Sequence, residues 1–598
     1  MENTIQKKKR NTILIPSMIA LGVIPLITHA FNYDNQLTQF IWFPDDSGKS
    51  CDFFLAWKMI AIITVGAVMT MLLLFQRFVK HNRIRFESNF YALFIYGVFV
   101  AVSALLSQYK HWVVCGSYQM FESVWVLFAY IMFCFYTYQY VRDESQIRSL
   151  LMWGGVGIVI LTLIGTFQFI GLDFFKSKIG RLLITNPSNW KEIDKIQFQV
   201  PKHTVYATLY NQNFLSFYCG MMIPLILGLI IGCKKLAYRI VLIVVEILAM
   251  ACMLGASSSS SWIALAGSAV IVAFVLFSRK KKAFKTAGIV MGIGIAAVIA
   301  VCVLTPIGNA VSASLLGTPA GHAVREIDTT GDSIVMNINH KTLQVTYDYN
   351  EVSGEVSVNC MDENGKKLTT TPLETGSLTS VIDDKDYIGC AVTPMMVEDI
   401  LAVDVTVDGH NWYFAKTKDD GYCMINQAGK LERYKSPEFS YLFYDNALNG
   451  RGRIWDGVLP ILRHYLLVGS GANTFIFAYP QNDYIYREYN NMQNTLDVKP
   501  HSLYLQQWVE NGLIAMCAFL VFCLGYLVNC IRIYRKADLH ESLTWTGIGL
   551  FTGVLSYLIV GIANDSNVCT APVFWILLGL GMAVNRMLLE KLENKNEA

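Results

Sequence analysis

The feature that most constrains this chain is a run of mostly apolar residues, recurring along nearly its whole length. Each run is close to the ~20 residues that a helix needs to cross a bilayer. The runs fall near residues 11–31, 56–76, 89–106, 121–140, 149–170, 213–232, 239–256, 260–277, 286–305, 505–529, 544–563 and 572–589, about twelve in all. Only 16% of the residues are charged, against about 25% in soluble domains. Lipid, not water, is therefore the solvent for most of the chain. The expected fold is a polytopic all-α membrane protein. A net charge of +3 offers no field for nucleic acid. Lys7 to Arg10 precede the first run without a small-residue cleavage site, so that run reads as a membrane helix that also targets the chain.

Basic residues fix the orientation, because they collect in cytoplasmic loops. Lys7–Arg10 precede the first span, and Arg77, Lys80, Arg83 and Arg85 follow the second. Arg142 and Arg148 lie between the fourth and fifth, and Lys234, Lys235 and Arg239 follow the sixth. Arg279, Lys280, Lys281, Lys282 and Lys285 follow the eighth, and Arg532, Arg535 and Lys536 the tenth. Every cluster falls inside for an N-in, C-in chain of twelve spans. The outward connections are then 32–55, 107–120, 171–212, 257–261, 306–504 and 564–571.

The long stretch divides the chain. Residues 1–305 form a membrane domain of about nine spans, 306–445 an insert, 446–504 an outer loop, and 505–598 the last three spans. The insert reads as β structure. Ser333–Tyr349 alternates apolar and polar residues in part, and Val405–Lys416 holds two strands around an Asp408–Gly409 turn. Asp420–Gly421 and Ala428–Gly429 mark further turns. A small extracytoplasmic all-β insert is expected. Its carboxylates, among them Asp383, Asp384, Asp386, Asp404 and Asp408, read most simply as a solvated surface. None stands at metal-ligand spacing. Cys360, Cys390 and Cys423 are an odd set, so no disulfide framework is expected. Residues 455–475 are amphipathic, interrupted by Asp456, Arg463 and His464, and are expected to form a helix at the outer interface.

No phosphate loop, nucleophile elbow or zinc helix occurs in the sequence. Energy must come from a substrate or a gradient. Two other residue sets carry chemistry. Arg451 and Arg453 stand just before the amphipathic segment, and guanidinium forks match phosphate oxygens bidentately. Anchoring to lipid headgroups is the plain alternative. His501 precedes the tenth span, and a histidine at a cavity mouth moves a proton near neutral pH. A simple polar contact is its plain alternative.

These residues lie in an ordered pattern: Arg451-x-x-Ile454-Trp455, then Leu466-Leu467-Val468-Gly469-Ser470-Gly471 with Phe475, then His501-x-x-Tyr504-Leu505, then Glu510-x-Gly512-Leu513. The pattern resembles the O-antigen ligase and Wzy-type polymerase superfamily along residues 451–513. Tyr206–Pro224, with Asn211 and Asn213, resembles a second family segment that enters a span.

The resemblance implies a GT-C-type bacterial membrane glycosyltransferase of the cytoplasmic membrane, with insert and catalytic loop outside. It implies a donor glycan on undecaprenyl pyrophosphate, an acceptor that is another glycan or a lipid-anchored sugar, and no cofactor or metal. Membrane lipids and polysaccharide-assembly proteins are the further partners. Arg451 is expected to bind pyrophosphate with Arg453 as a second candidate, and His501 to activate the acceptor hydroxyl or align the phosphate. Asn211, Asn213, Tyr504 and Glu510 are expected near substrate. Two departures stand out. The family's Ser-Arg-Gly is here Ser257–Ser261 with no arginine, so either Lys202 or Arg181 from the 171–212 connection is a candidate to replace it, or the donor is held more weakly or differently. The asparagine after the family histidine is Ser502. The alternative function is a transporter or flippase of lipid-linked oligosaccharide. Such proteins spread charge through their spans at mid-membrane depth, whereas these spans hold few charges.

Overall fold

The structure is a computed structural model that describes residues 12–196, 198, 200–279, 317, 321–350, 355–397 and 399–597. Apolar runs become helices because lipid cannot satisfy backbone N–H and C=O groups. In chain order these are α1 (Ile15–Gly22), α2 (Ala56–Leu74), α3 (Phe90–Leu106), α4 (Val124–Tyr140), α5 (Glu144–Phe169), α6 (Gln212–Gly232), α7 (Leu236–Gly255) and α8 (Ser259–Phe277). After the insert come α9 (Ala447–Ile461), α10 (Leu503–Asn511), α11 (Leu513–Tyr534), α12 (Ser542–Val560) and α13 (Ala571–Glu597). Among the described residues, eight helices are long and apolar enough to cross a membrane: α2, α5 to α8, and α11 to α13. Ile15–Leu26, Phe90–Leu106 and Val124–Tyr140 are shorter apolar helices. The protein is a multi-pass membrane protein. The expected span at 286–305 lies outside the described residues.

Two expected boundaries move. The run at 505–529 is not one helix. It breaks at Gly512, whose φ of 91° is open to glycine but strained for other residues. The amphipathic α10 precedes the break and the apolar α11 follows it. The segment 455–475 is not one helix either. Helical backbone from Arg451 ends at Ile461, one 3-10 turn spans Leu462–Tyr465, and a short helix resumes at Phe475. The spans are also less free of charge than the sequence reads. Lys58 in α2 is fully buried, and its Nζ donates to the carbonyls of Ile27, Phe54 and Thr208 at 2.6–2.8 Å.

Side-chain bonds sort the helix ends. Gln139 in the last turn of α4 bonds to the backbone of Arg85 before α3. Arg279 donates to Tyr534 O at 2.8 Å, and Lys591 pairs with Glu144 and Glu541. The connections around Arg85, Glu144, Arg279, Tyr534 and Glu541 therefore share one end with Lys591. At the opposite end Lys58 joins the 27, 54 and 208 backbones, Asn564 bonds Ser260, and Asn473 bonds Ser117.

The β insert holds two antiparallel sheets. The four-stranded sheet runs β3 (Val324–Asp328), β4 (Ile334–Ile338), β5 (Lys341–Tyr349) and β6 (Val356–Met361), each beside the next. The second sheet is a seven-stranded meander: β7 (Thr370–Pro372), β8 (Ser380–Ile382), β9 (Cys390–Val397), β10 (Ile400–Val407), β11 (His410–Thr417), β12 (Gly421–Ile425) and β13 (Leu431–Glu432). Inward residues of both sheets form one core, including Leu343, Val345, Val405, Trp412 and Phe414. The β10–β11 hairpin turns at Asp408 (φ 49°) and Gly409 (φ 81°), as the sequence signals. The short pair β1 (Phe31–Asp34) and β2 (Lys49–Asp52) lies in the 32–55 connection and is not expected from the sequence. Cys360, Cys390 and Cys423 are free and buried.

Candidate functional site

The site gathers on the short connection between α12 and α13, Gly561–Thr570. Three basic side chains of residues 446–504 end there. Arg451 Nε donates to the Ala563 carbonyl at 2.9 Å. His501 Nδ1 lies 3.2 Å from Asp565 Oδ2. Lys499 Nζ donates to the Ser566 carbonyl.

Local sequence sets these positions. Leu448, Asn449 and Gly450 have φ of 50°, 60° and 82°, so a left-handed turn precedes the helical backbone that begins at Arg451. Trp455, one helical turn on, donates from Nε1 to the Pro500 carbonyl at 2.9 Å and holds α9 against the histidine segment. His501 itself takes a φ of 51°, a conformation that costs a non-glycine residue energy and persists where surroundings enforce it. Asp565 enforces it from both sides, since its Oδ1 accepts the Ser502 N–H at 3.0 Å. Ser502 then caps α10 by accepting from Leu505 N. A hydroxyl suffices for that N-cap role, which accounts for serine where the family has asparagine.

Asp565 is 2% exposed, whereas the His501 side chain is 46% exposed. The carboxylate is thus the buried anchor and the imidazole the accessible group. A neutral ring that donates through Nδ1 presents a lone pair at Nε2. Burial pushes the Arg451 guanidinium down from its usual value, and the Asp565 carboxylate opposes that shift.

Beneath this layer lies a buried polar network. Glu122 is 1% exposed and accepts from Tyr130 at 3.0 Å, Ser566 Oγ at 2.6 Å and Gln506 Nε2 at 3.0 Å. Gln506 Oε1 accepts the Ser566 N–H at 2.8 Å. Desolvation pushes the Glu122 carboxyl up, and Lys499 opposes it. Glu510 is pushed up to about 8 by burial and then by Glu122. These groups fix the loop that carries Asp565.

The other expected residues divide. Asn211 caps α6, its Oδ1 accepting from Phe214 N at 2.9 Å. Lys499 stands 5.9 Å above the Phe214 ring, so the start of α6 with Asn211 and Asn213 borders the site. Tyr504 bonds Leu558 O at 2.6 Å and ties α10 to α12. Ser260, in the serine run that replaces Ser-Arg-Gly, accepts from Asn564 at 3.0 Å. Arg453 does not fit the second phosphate-binding role. It is 4% exposed, pairs with Asp483 and Asp497 at 3.0 Å, and stacks 3.9 Å over Tyr486. Its charge is already satisfied inside the protein. Arg181 bonds the carbonyls of Ile193 and Asp194 in its own connection, and Lys202 is exposed on the same stretch. Neither contacts the His501 group.

Sequence reasoning missed Asp565, Glu122, Lys499 and Gln506. A signal existed for two of them. Asp565 lies in a polar quartet between two apolar spans, and Glu122 is a carboxylate at the mouth of a span, where ionisable groups are costly and mark function. Among the described residues, no cluster of His, Cys, Asp or Glu is placed to hold a metal.

The mutual packing of Gly469–Gly471 and Glu510–Gly512 decides how the pattern holds together. Ser470 N donates to Val509 O at 2.8 Å and Gly471 N to Glu510 O at 2.9 Å. One unit joins α9, the glycine segment and α10. Residues 425–520 match the family model of the O-antigen ligases. The family match runs from the end of β12 into α11 and contains Arg451, Arg453, His501, Tyr504 and Glu510. It supports an O-antigen ligase-like role in glycan transfer. No curated protein matches the chain. Asp565, Glu122 and Asn211 lie outside residues 425–520; Asp565 and Glu122 bond to that segment from the ends of the membrane helices.

Proposed function

We propose that the protein transfers or polymerises glycan from an undecaprenyl-pyrophosphate donor onto an acceptor sugar. The site is the outer face of the bacterial cytoplasmic membrane, and the product is cell-surface polysaccharide. One observation carries this reading: His501, braced by buried Asp565 at 3.2 Å, shares a loop with Arg451, which bonds Ala563 two residues earlier. The family match supplies the reaction class. The connections around Arg85 and Arg279 lie at the opposite end of the helices, and the charge rule makes that end cytoplasmic.

In this reading the acceptor hydroxyl gives its proton to His501 Nε2 as its oxygen attacks the anomeric carbon. The bond from that carbon to the pyrophosphate oxygen breaks, and its electron pair leaves with the pyrophosphate. Arg451 faces the developing negative charge. A preplaced cation in a poorly hydrated site stabilises such charge strongly. Asp565 stabilises the imidazolium and holds the ring, as a carboxylate does behind a general base.

The test uses purified protein in detergent with a polyprenyl-pyrophosphate glycan and no nucleotide. Transfer or lengthening of the glycan is the expected result. A flippase has no membrane to work across in detergent and would leave the glycan unchanged, which overturns the proposal.

A further inference from the structure

An open cleft of about 390 Å³ lies between the last strand of the β insert, the end of α9 and the segment beyond it. It is separate from the reaction site, since none of His501, Arg451 and Asp565 lines it. Its walls come from distant parts of the chain: Trp42 in the 32–55 connection, Glu432 on β13, Pro460 and Ile461 at the end of α9, and Phe477 and Tyr479 beyond.

The cleft is built before any ligand arrives. Asn426 Nδ2 donates to Ile41 O at 3.1 Å, and Lys430 Nζ to Phe43 O at 3.3 Å, pinning the Trp42 connection to the insert. The Trp42 ring stacks on Phe40 at 5.0 Å. Phe477 lies 6.4 Å from Trp42 and is propped from behind by Tyr109 at 4.4 Å. Half-buried aromatic faces held this firmly lose little freedom on binding.

Hydrogen-bonding groups stand beside the rings. Tyr479 is 2% exposed, and its hydroxyl has no hydrogen-bond partner among the described residues. The Tyr479 ring lines the cleft wall. Glu432 is half-buried and accepts from Tyr484 at 2.7 Å through Oε2, and Glu438 pairs with Arg463 at 3.2 Å on the exposed rim. Arg463, already paired with Glu438, and His464 also line the cleft; the carboxylates disfavour a phosphate, and the polar groups disfavour an acyl chain. A sugar ring fits both halves: its C–H face lies on an aromatic ring while its hydroxyls meet the carboxylates and the side-chain amides of Gln481 and Asn482.

We infer that this cleft binds uncharged pyranose units of the glycan, away from the bond being made. The inference rests on the glycan-transfer reading and names where a distal part of that substrate is held. Helix α9 links the two places. Trp455 bonds Pro500 beside His501, and Ile461 lines the cleft six residues on, about 9 Å along the axis. A chain of a few sugars spans that distance.

The test is binding of full-length protein in lipid nanodiscs to an array of uncharged bacterial oligosaccharides built from hexose and N-acetylhexosamine units. Wild type and His501→Ala should retain the same glycans. Trp42→Ala should lose about tenfold in affinity, Phe477→Leu should also bind more weakly, and Trp42→Tyr should recover part of the loss with an unchanged melting temperature. Retention of no glycan by wild type, or equal binding by Trp42→Ala, overturns the cleft. So does loss in His501→Ala with none in Trp42→Ala, which puts the glycan at the reaction site alone. The detergent transfer assay answers separately for the reaction. Transfer without array binding removes the cleft and leaves the reaction standing.

Discussion

Gly469 meets Glu510 backbone to backbone: a Cβ added to Gly469 would lie 2.1 Å from the Glu510 carbonyl carbon. Only glycine allows that approach, and the Ser470 and Gly471 N–H bonds to the same stretch depend on it. Gly469→Ala must push two main chains apart. The expected cost is about 2 kcal/mol or more, read as a fall in melting temperature. Gly155→Ala, where nothing lies within 4 Å, is the control and should not destabilise.

Arg451 and Arg453 are two residues apart and should fail in opposite ways. Arg453→Ala strands the carboxylates of Asp483 and Asp497 around a buried site. Breaking a buried pair from one side costs about 3–5 kcal/mol, so this variant should unfold early. Arg451→Ala should keep its melting temperature and lose transfer. Thermal unfolding beside a transfer assay separates them.

Asp565→Asn keeps an acceptor for the Ser502 N–H but removes the negative charge beside His501 Nδ1. Turnover should fall by about 10²-fold or more, with little change in melting temperature. Steady-state rates over a range of donor concentrations check it, and the loss should appear in kcat.

Glu510 gives a pH dependence. Its carboxyl is held at about 8 in the folded protein against an ordinary 4.5. Between those values the folded state keeps a proton that the unfolded chain has released, so stability falls as pH rises through that window. Melting temperature should therefore decline from about pH 5 to pH 8. Glu510→Gln, which cannot ionise, should flatten the decline. Glu122, also pushed up, leaves a residual slope.

The sequence spoke most clearly where one local rule governs. Apolar runs gave the spanning helices, and Asp408–Gly409 gave its hairpin because only residues tolerant of positive φ turn there. Register breaks were harder to read. Gly512 sits in an apolar run, and its φ of 91° shows only when Leu467 O is found 2.7 Å from where its Cβ would lie. The reaction site was half legible. Arg451 and His501 stand in one ordered pattern, but Asp565 follows His501 by 64 positions and Glu122 precedes it by 379. Their partnership is made by helix packing. Arg453 shows the converse limit, since its closeness to Arg451 in sequence says nothing of the two aspartates that neutralise it.

The most direct test of the account is glycan transfer by the full chain in lipid nanodiscs. The donor is a polyprenyl-pyrophosphate oligosaccharide, in chelator and without nucleotide, and product length is read by mass spectrometry. Wild type is predicted to transfer the glycan, and His501→Ala and Arg451→Ala to lose that activity while melting like wild type. Full transfer by both variants would contradict the account.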